Sequence, residues 1–276
     1  MAATFGAHPE LIGGPRHSET RLAHVHLRPA PLTADLKGDV AHAPDSSASF
    51  CQLQDCGPVC RIGSSERSCC TISGMIPAIV LAAGKSTRMG RAKANLPLGD
   101  GDTFLSRIVS TFHTAGVSDV VVVVGHDAAS IVEAFPDSGV VARFVENPDY
   151  ERGQWSSLVK GLNAIDRPGV AAALVTLVDV PLVTPATVRA VVERYRQTRA
   201  PVVRPVRGDQ HGHPVLIDRS VFDQIRCASP DAGAKPVVRA LASVAGDVAV
   251  DDRGAFLDID TMDEYQRVAS GVVPEE

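Results

Sequence analysis

A surplus of positive charge is the first thing this chain lacks. Its 27 lysines and arginines are outnumbered by 32 aspartates and glutamates, a net charge of −5. Non-specific binding along a nucleic acid backbone needs a basic footprint, so nucleic acid is not the expected partner. Long apolar runs are missing too. No stretch approaches the ~20 residues of a membrane-spanning helix, and the N-terminus has no continuous apolar region of the secretory kind. A cytoplasmic protein without a membrane partner is the expectation. Cysteine is almost absent from most of the chain: Cys51, Cys56, Cys60, Cys69 and Cys70 crowd together, and only Cys227 follows. Their spacing, C-x4-C-x3-C-x8-C-C, matches no standard zinc or iron–sulfur framework.

That crowding marks a boundary. Residues 1–74 also hold five of the nine histidines, are rich in Pro, Gly and Ser, and show no sustained helical or strand period. They read as a disordered leader, or as the product of an upstream start codon, with a domain spanning 75–276 from Met75 onward. The 45% apolar content is ample for a buried core.

From Met75 on, strand-like and helix-like segments alternate, the pattern of a mostly parallel sheet covered on both faces. The α/β reading places strands at Ile76–Ala82, Asp119–Val124, Val140–Val145, Ala171–Val178 and Val202–Val206. Helices are expected at Thr103–Ala115, Ala128–Phe135, from the Gly153–Leu158 turn onward, and at Pro185–Arg196, Ala234–Ala245 and Met262–Ala269. In the first of these helices Phe104, Ile108 and Phe112 form one face. The valine run before Gly125 suits a parallel strand buried on both sides.

The most informative segment joins the first strand to a cationic loop: Leu81-Ala82-Ala83-Gly84-Lys85-Ser86-Thr87-Arg88-Met89-Gly90, closing on Lys93. Gly84 is expected to let the backbone bend tightly and aim N–H groups at an anion. Lys85, Arg88 and Lys93 supply charge-assisted donors for phosphate oxygens. It is not a P-loop, because Ile79 stands where that motif needs its first glycine, and no G-x-G-x-x-G follows the strand. The segment resembles the signature of the MobA-like nucleotidyltransferases, L-A-[AG]-G-x-[SG]-x-R-M-G-x-x-K, at every fixed position.

Three further elements extend the resemblance over residues 76–270. Val178-Asp179-Val180-Pro181-Leu182 presents a carboxylate at a strand end before a proline turn and is similar to the family's metal-binding D-x-P-[LF] element. Asp258-Ile259-Asp260-Thr261-Met262-Asp263-Glu264-Tyr265 resembles its D-[IV]-D-T-P-E-D-[LY] stretch, with Met262 and Asp263 departing from proline and glutamate. Alternation along a strand would put Asp258 and Asp260 on one side, and Thr261 with Glu264 can form a capping box. Gln210-His211-Gly212-His213-Pro214-Val215 is similar to the G-[HR]-P-V segment of molybdenum cofactor cytidylyltransferases. No cysteine or further histidine stands near it to complete a zinc site.

The resemblance implies a Rossmann-like, three-layer nucleotidyltransferase fold and a reaction in which CMP passes from CTP to the phosphate of molybdopterin. By the resemblance, Arg88, Lys93 and Asp179 are catalytic, and Leu81, Ala82, Ala83, Gly84, Arg88, Lys93, Gln154, Ser156 and Ser157 contact the nucleotide. His211, Gly212, His213 and Pro214 face the acceptor, and Asp179 and Asp260 hold Mg²⁺, a cation suited to few carboxylates plus phosphate oxygens. A recipient molybdoenzyme or its chaperone is the implied downstream partner. Guanylyl transfer, sugar- or alditol-phosphate nucleotidyl transfer, and a non-catalytic cofactor-handover protein remain as alternatives. For Trp155, the single tryptophan, core packing and substrate stacking stay open.

Overall fold

The computed structural model describes residues 74–86, 89–99, 101–135 and 140–270. The leader and its clustered cysteines fall outside the described residues, as do Thr87 and Arg88.

Eight strands form one sheet: β1 (Ala78–Ala82), β2 (Val120–Val124), β3 (Arg143–Glu146), β4 (Ala172–Leu177), β5 (Val202–Arg207), β6 (Gln210–His211), β7 (Val215–Asp218) and β8 (Asp247–Ala249). The order is β3-β2-β1-β4-β7-β5-β6, with β8 on β5. The first four strands pair in parallel, with Ala78 opposite both Val120 and Leu174. β7 then enters antiparallel between β4 and β5. The helices are α1 (Phe104–Thr114), α2 (Ala128–Ala134), α3 (Gln154–Ile165), α4 (Pro185–Thr198), α5 (Phe222–Arg226), α6 (Lys235–Leu241) and α7 (Met262–Ala269).

The period of two along the strands divides the core into two layers. Ala78, Val80, Ala82, Val120, Val122 and Leu174 pack with α1, α2 and α4 through Ile108, Phe112, Ile131, Val188 and Tyr195. Ile79, Leu81, Val121, Val123 and Val175 face the other way, onto Leu158, Leu162 and Ile165 of α3 and Phe222 and Ile225 of α5. All five valines of β2 are buried because both faces are covered. Each such side chain contributes about 1.5–3 kcal/mol relative to an exposed position. A third, smaller cluster joins Met89, Leu96, Leu98 and Phe104 to Ile259, and Leu257 and Tyr265 pack against it. It fastens the C-terminal segment over the end of the sheet.

Helix starts follow their capping residues. Thr103 and Ser106 exchange side-chain and backbone bonds at α1, and Thr184 precedes Pro185 at α4. Thr261 and Glu264 form the capping box of α7.

Several expectations are corrected. The third strand begins at Arg143, not Val140, and the helix expected over Ala234–Ala245 ends at Leu241, where the chain turns extended at Ala242. β6, β8 and α5 are too short to carry a readable period. Residues 258–260 are not a strand. Their donors go elsewhere: Ile259 N–H to the Asp179 carbonyl at 2.8 Å, and Asp260 N–H to Glu264 Oε2 at 2.8 Å.

Gly161 of α3 sits against β1, where an added Cβ would fall 2.6 Å from Ile79 Cγ2. Gly161→Val is expected to destabilise the fold by about 1–3 kcal/mol, the usual cost of overpacking. Denaturant unfolding checks it, and an unchanged midpoint would show that α3 can lift off β1 freely.

Candidate functional site

The carboxyl ends of the parallel strands are where ligands gather in open α/β sheets. Here β1 ends in Ala82 and continues into Ala83 and Gly84, while β4 ends in Leu177 and delivers Asp179 two residues on. Val178 N–H donates to the Leu81 carbonyl at 3.2 Å, which keeps the two exits side by side.

A cavity of about 320 Å³ opens there, lined among others by Leu81, Ala82, Ala83, Gly84, Gln154 and Ser157. Lys93, Asp179 and Asp260 line it too. Lys93 Nζ lies 2.6 Å from Asp260 Oδ1 and 3.3 Å from Asp179 Oδ2. Its side chain is 10% exposed. The other Asp179 oxygen, Oδ1, is buried with no hydrogen-bond partner among the described residues. An orphaned carboxylate oxygen beside a second carboxylate is a site with unfilled capacity for a cation.

The donor set suits a hard divalent ion. No cluster of three or more His, Cys, Asp or Glu side chains occurs among the described residues, so the protein offers two carboxylates rather than a closed cage. Mg²⁺ is bound in that way when a substrate's phosphates supply the remaining oxygens.

The loop after β1 differs from its expected geometry. The left-handed residues are Ser86, φ 46°, and Gly90, φ 67°, rather than Gly84. A Cβ at Gly84 would meet nothing within 4 Å, so this glycine leaves open space on the cavity wall. Ser86 Oγ accepts from Lys93 N–H at 3.2 Å, closing the loop on itself. Lys85 is turned away, its ammonium paired with Glu151 at 2.6 Å. Arg88 lies outside the described residues.

On α3 the two serines separate. Ser157 lines the cavity. Ser156 is turned to structural work: its hydroxyl donates to the carbonyls of Gly153 at 2.8 Å and Asp149 at 2.9 Å. Sequence reasoning missed Asn147, which is buried and donates through Nδ2 to both Ser156 Oγ and Ser157 Oγ at 3.0 Å. Its backbone N–H reaches the Val124 carbonyl at 2.8 Å. Asn147 thereby ties the start of α3 to the end of β2, and its only signal was the Glu146-Asn147-Pro148 stop after β3.

A second cavity, about 710 Å³, adjoins the first, and Leu81, Gly153, Gln154 and Leu177 belong to both. His211, Gly212 and His213 line it, whereas Pro214 is buried beside them. Asp258 also lines it, while Asp260 lines the smaller cavity, so the expected shared face of these two aspartates is corrected to one on each side. Lys235 and Arg239 of α6 complete a cationic wall that sequence reasoning did not single out. Trp155 also contributes, with its indole N–H anchored to the Ile225 carbonyl at 2.7 Å and its ring packed on the second core layer.

Burial pushes the His213 imidazole below the usual 6.5, against a 3.5 Å contact of Nδ1 with the Val175 carbonyl. Desolvation first and the Asp179 charge second raise the Asp258 carboxyl.

Residues 78–244 match the sequence model of the MobA-like NTP transferase domain, and the chain belongs to that family. It is 32% identical over 139 residues to a probable molybdenum cofactor guanylyltransferase of Mycobacterium avium (strain 104), covering 50% of this chain and 67% of the relative. It is 27% identical over 219 residues to the nicotine blue oxidoreductase of Paenarthrobacter nicotinovorans, covering 75% of this chain and 100% of that one. Of two longer bifunctional relatives it spans only 26% and 23%. Among solved structures it is similar to Rv0371c of Mycobacterium tuberculosis H37Rv, with a TM-score of 0.61, 30% identity, and coverage of 71% of this chain and 98% of that one. Rv0371c has also been solved as a complex with manganese. The fold is thus the α/β, Rossmann-like nucleotidyltransferase type expected from sequence. No described helix is long and apolar enough to cross a membrane.

Since burial lowers the His213 imidazole from its ordinary value in the folded chain, the unfolded chain takes up the proton first on acidification. That stability is present above the usual 6.5 and is lost as pH falls below it toward the lower folded value. His213→Gln is expected to flatten the decline in unfolding free energy between pH 7 and 5. Parallel slopes for variant and wild type would show that His213 does not contribute.

Proposed function

We propose that this chain transfers a nucleotidyl group from a nucleoside triphosphate to a phosphate-bearing acceptor, with CTP as donor and the phosphate of molybdopterin carrying molybdenum as acceptor. The observation that carries the reading is the convergence of Asp179, Asp260 and Lys93 in the smaller cavity, walled by Leu81–Gly84, which shares Leu81, Gly153, Gln154 and Leu177 with the larger one lined by His211–His213. A triphosphate in the smaller cavity and an acceptor in the larger one would meet at their shared wall. The name of the Mycobacterium avium relative supports the molybdenum cofactor as acceptor class.

An acceptor phosphate oxygen attacks the α-phosphorus in line, the bond to the β-phosphate oxygen breaks, and pyrophosphate leaves. The attacking phosphate is already ionised at neutral pH, so no side chain is required as a general base. Catalysis then consists of positioning and charge neutralisation. Asp179 and Asp260 would hold Mg²⁺, which supplies charge neutralisation across the phosphates when bound. Lys93 and Arg88 serve the triphosphate. The open face at Gly84 lets the nucleotide approach the backbone, and Gln154 and Ser157 at the start of α3 contact it from the other side. His211, Gly212 and His213 face the acceptor, and Lys235 and Arg239 add positive charge suited to an anionic one. A recipient molybdoenzyme or its chaperone would take the product.

Asp179→Asn is expected to lower turnover by at least a hundredfold while the protein stays folded, because a neutral amide neither charges the site nor fills the orphaned oxygen's role. Pyrophosphate release assayed at saturating Mg²⁺ checks it. A near-normal rate would remove Asp179 from the catalytic set.

The base preference rests on Ala83, whose methyl stands in the cavity wall where guanylyl-transferring members of the resembled family carry a second glycine. One methyl-sized change is worth about 1–3 kcal/mol of discrimination, and Gln154 and Ser157 add polar contacts along the base edge. The guanylyltransferase relative favours GTP as the competing donor. The kcat/KM values for CTP, UTP and GTP with one acceptor decide between them. CTP is expected to lead, and a lead for GTP would overturn both the donor and the subfamily.

A further inference from the structure

The smaller cavity carries its own cation. Lys93 is 9% exposed, and its ammonium spans the two carboxylates at 2.6 Å and 3.3 Å. The backbone beneath it is fixed: its N–H donates to Ser86 Oγ, its carbonyl accepts from Leu96 N–H at 3.0 Å, and the neighbouring Ala94 is buried. What can move is the flexible four-carbon stem with a point charge at its end. Two carboxylates facing one another across a partly desolvated gap repel, and the ammonium between them offsets that repulsion. With the ammonium there they are held together, yet Asp179 Oδ1 still finds no partner among the described residues. One ammonium therefore offsets part of the pair's negative charge without saturating its oxygens.

A divalent ion and an ammonium cannot occupy the same gap. We infer that Lys93 is an internal placeholder for the divalent cation. It keeps Asp179 and Asp260 together before substrate arrives, competes with a bare metal ion for them, and swings to the triphosphate when the ion arrives with its nucleotide. This rests on the reading of Asp179 and Asp260 as the metal-holding carboxylates. Metal and triphosphate binding are then positively coupled, because the ion that displaces the ammonium frees it for the phosphates, and such coupling is reciprocal. The nucleotide-free site stays closed to bare metal and ready for the metal–nucleotide complex.

The test uses Mn²⁺ alone as probe, titrated into the full chain without nucleotide and followed by the electron paramagnetic resonance of the free ion. Lys93→Met and Lys93→Gln are expected to bind Mn²⁺ at least tenfold more tightly than the wild type, and adding CTP should tighten Mn²⁺ binding more in the wild type than in either variant. Equal or weaker Mn²⁺ binding by the variants overturns the inference. Asp179→Asn separates the two levels: if it leaves Mn²⁺ binding unchanged in the presence of CTP, the metal-ligand reading itself fails. The wild type gives a measurement that needs no substitution. Mn²⁺ alone should leave its melting midpoint in place at concentrations where Mn²⁺ with CTP raises it, and a full rise with Mn²⁺ alone overturns the placeholder role.

Discussion

One main-chain hydrogen bond, 2.8 Å from Ile259 N–H to the Asp179 carbonyl, joins the two distant parts of the chain that make the site. Asp179 leaves β4 in the middle of the sheet, and Asp260 belongs to an irregular segment before the last helix. The bond is kept out of water by Ile259, which is fully buried in the cluster with Leu96 and Phe104. Glu264 then takes the N–H groups of Asp260 and Thr261, both at 2.8 Å. The N–H groups of Ile259 and Asp260, which a strand would have used in pairing, thereby help to aim the Asp260 carboxylate. The capping box of α7 shapes the candidate site as well as starting a helix.

The same economy governs α3. Its first turn offers N–H groups and Ser157 to the smaller cavity, and it is held there by Asn147 and Ser156 rather than by a charged cap. A carboxylate cap at this position would satisfy the helix start equally well, but it would bring negative charge against an incoming triphosphate. A neutral amide and a hydroxyl fix the turn and leave its field positive. Of the acidic residues just before the turn, Glu151 is paired with Lys85, and across the cavity Asp179 and Asp260 share the Lys93 ammonium.

Much of the fold was legible because its signals are local. The valines of β2, the helical face of Phe104, Ile108 and Phe112, and the strand that delivers Asp179 each declare themselves within a dozen residues. In the loop after β1 the cations were legible as charges but their partners were not: Lys85 pairs with Glu151 and Lys93 with two carboxylates. Long-range facts were not. Lys93 and Asp260 meet across a separation of 167 residues and Lys93 and Asp179 across 86. Sequence could therefore assign Lys93 a charge but not its place between two carboxylates. Ser156 and Ser157 looked equivalent in a string of residues, yet adjacent helical positions point about 100° apart, and only one of them reaches the cavity. Asp258 and Asp260 failed in the opposite sense: alternation was assumed where no strand exists.

Family membership fixes the scaffold and leaves the reaction to the site, a point made by the oxidoreductase name of a relative aligned over its whole length. Two features of the site argue for group transfer between anions. The cavities share Leu81, Gly153, Gln154 and Leu177, so ligands in them would be neighbours across a wall one residue thick. The smaller cavity holds a buried ammonium between two carboxylates, and the larger cavity adds Lys235 and Arg239. Such an arrangement lowers the repulsion between two phosphates brought into line, which is the principal barrier to nucleotidyl transfer.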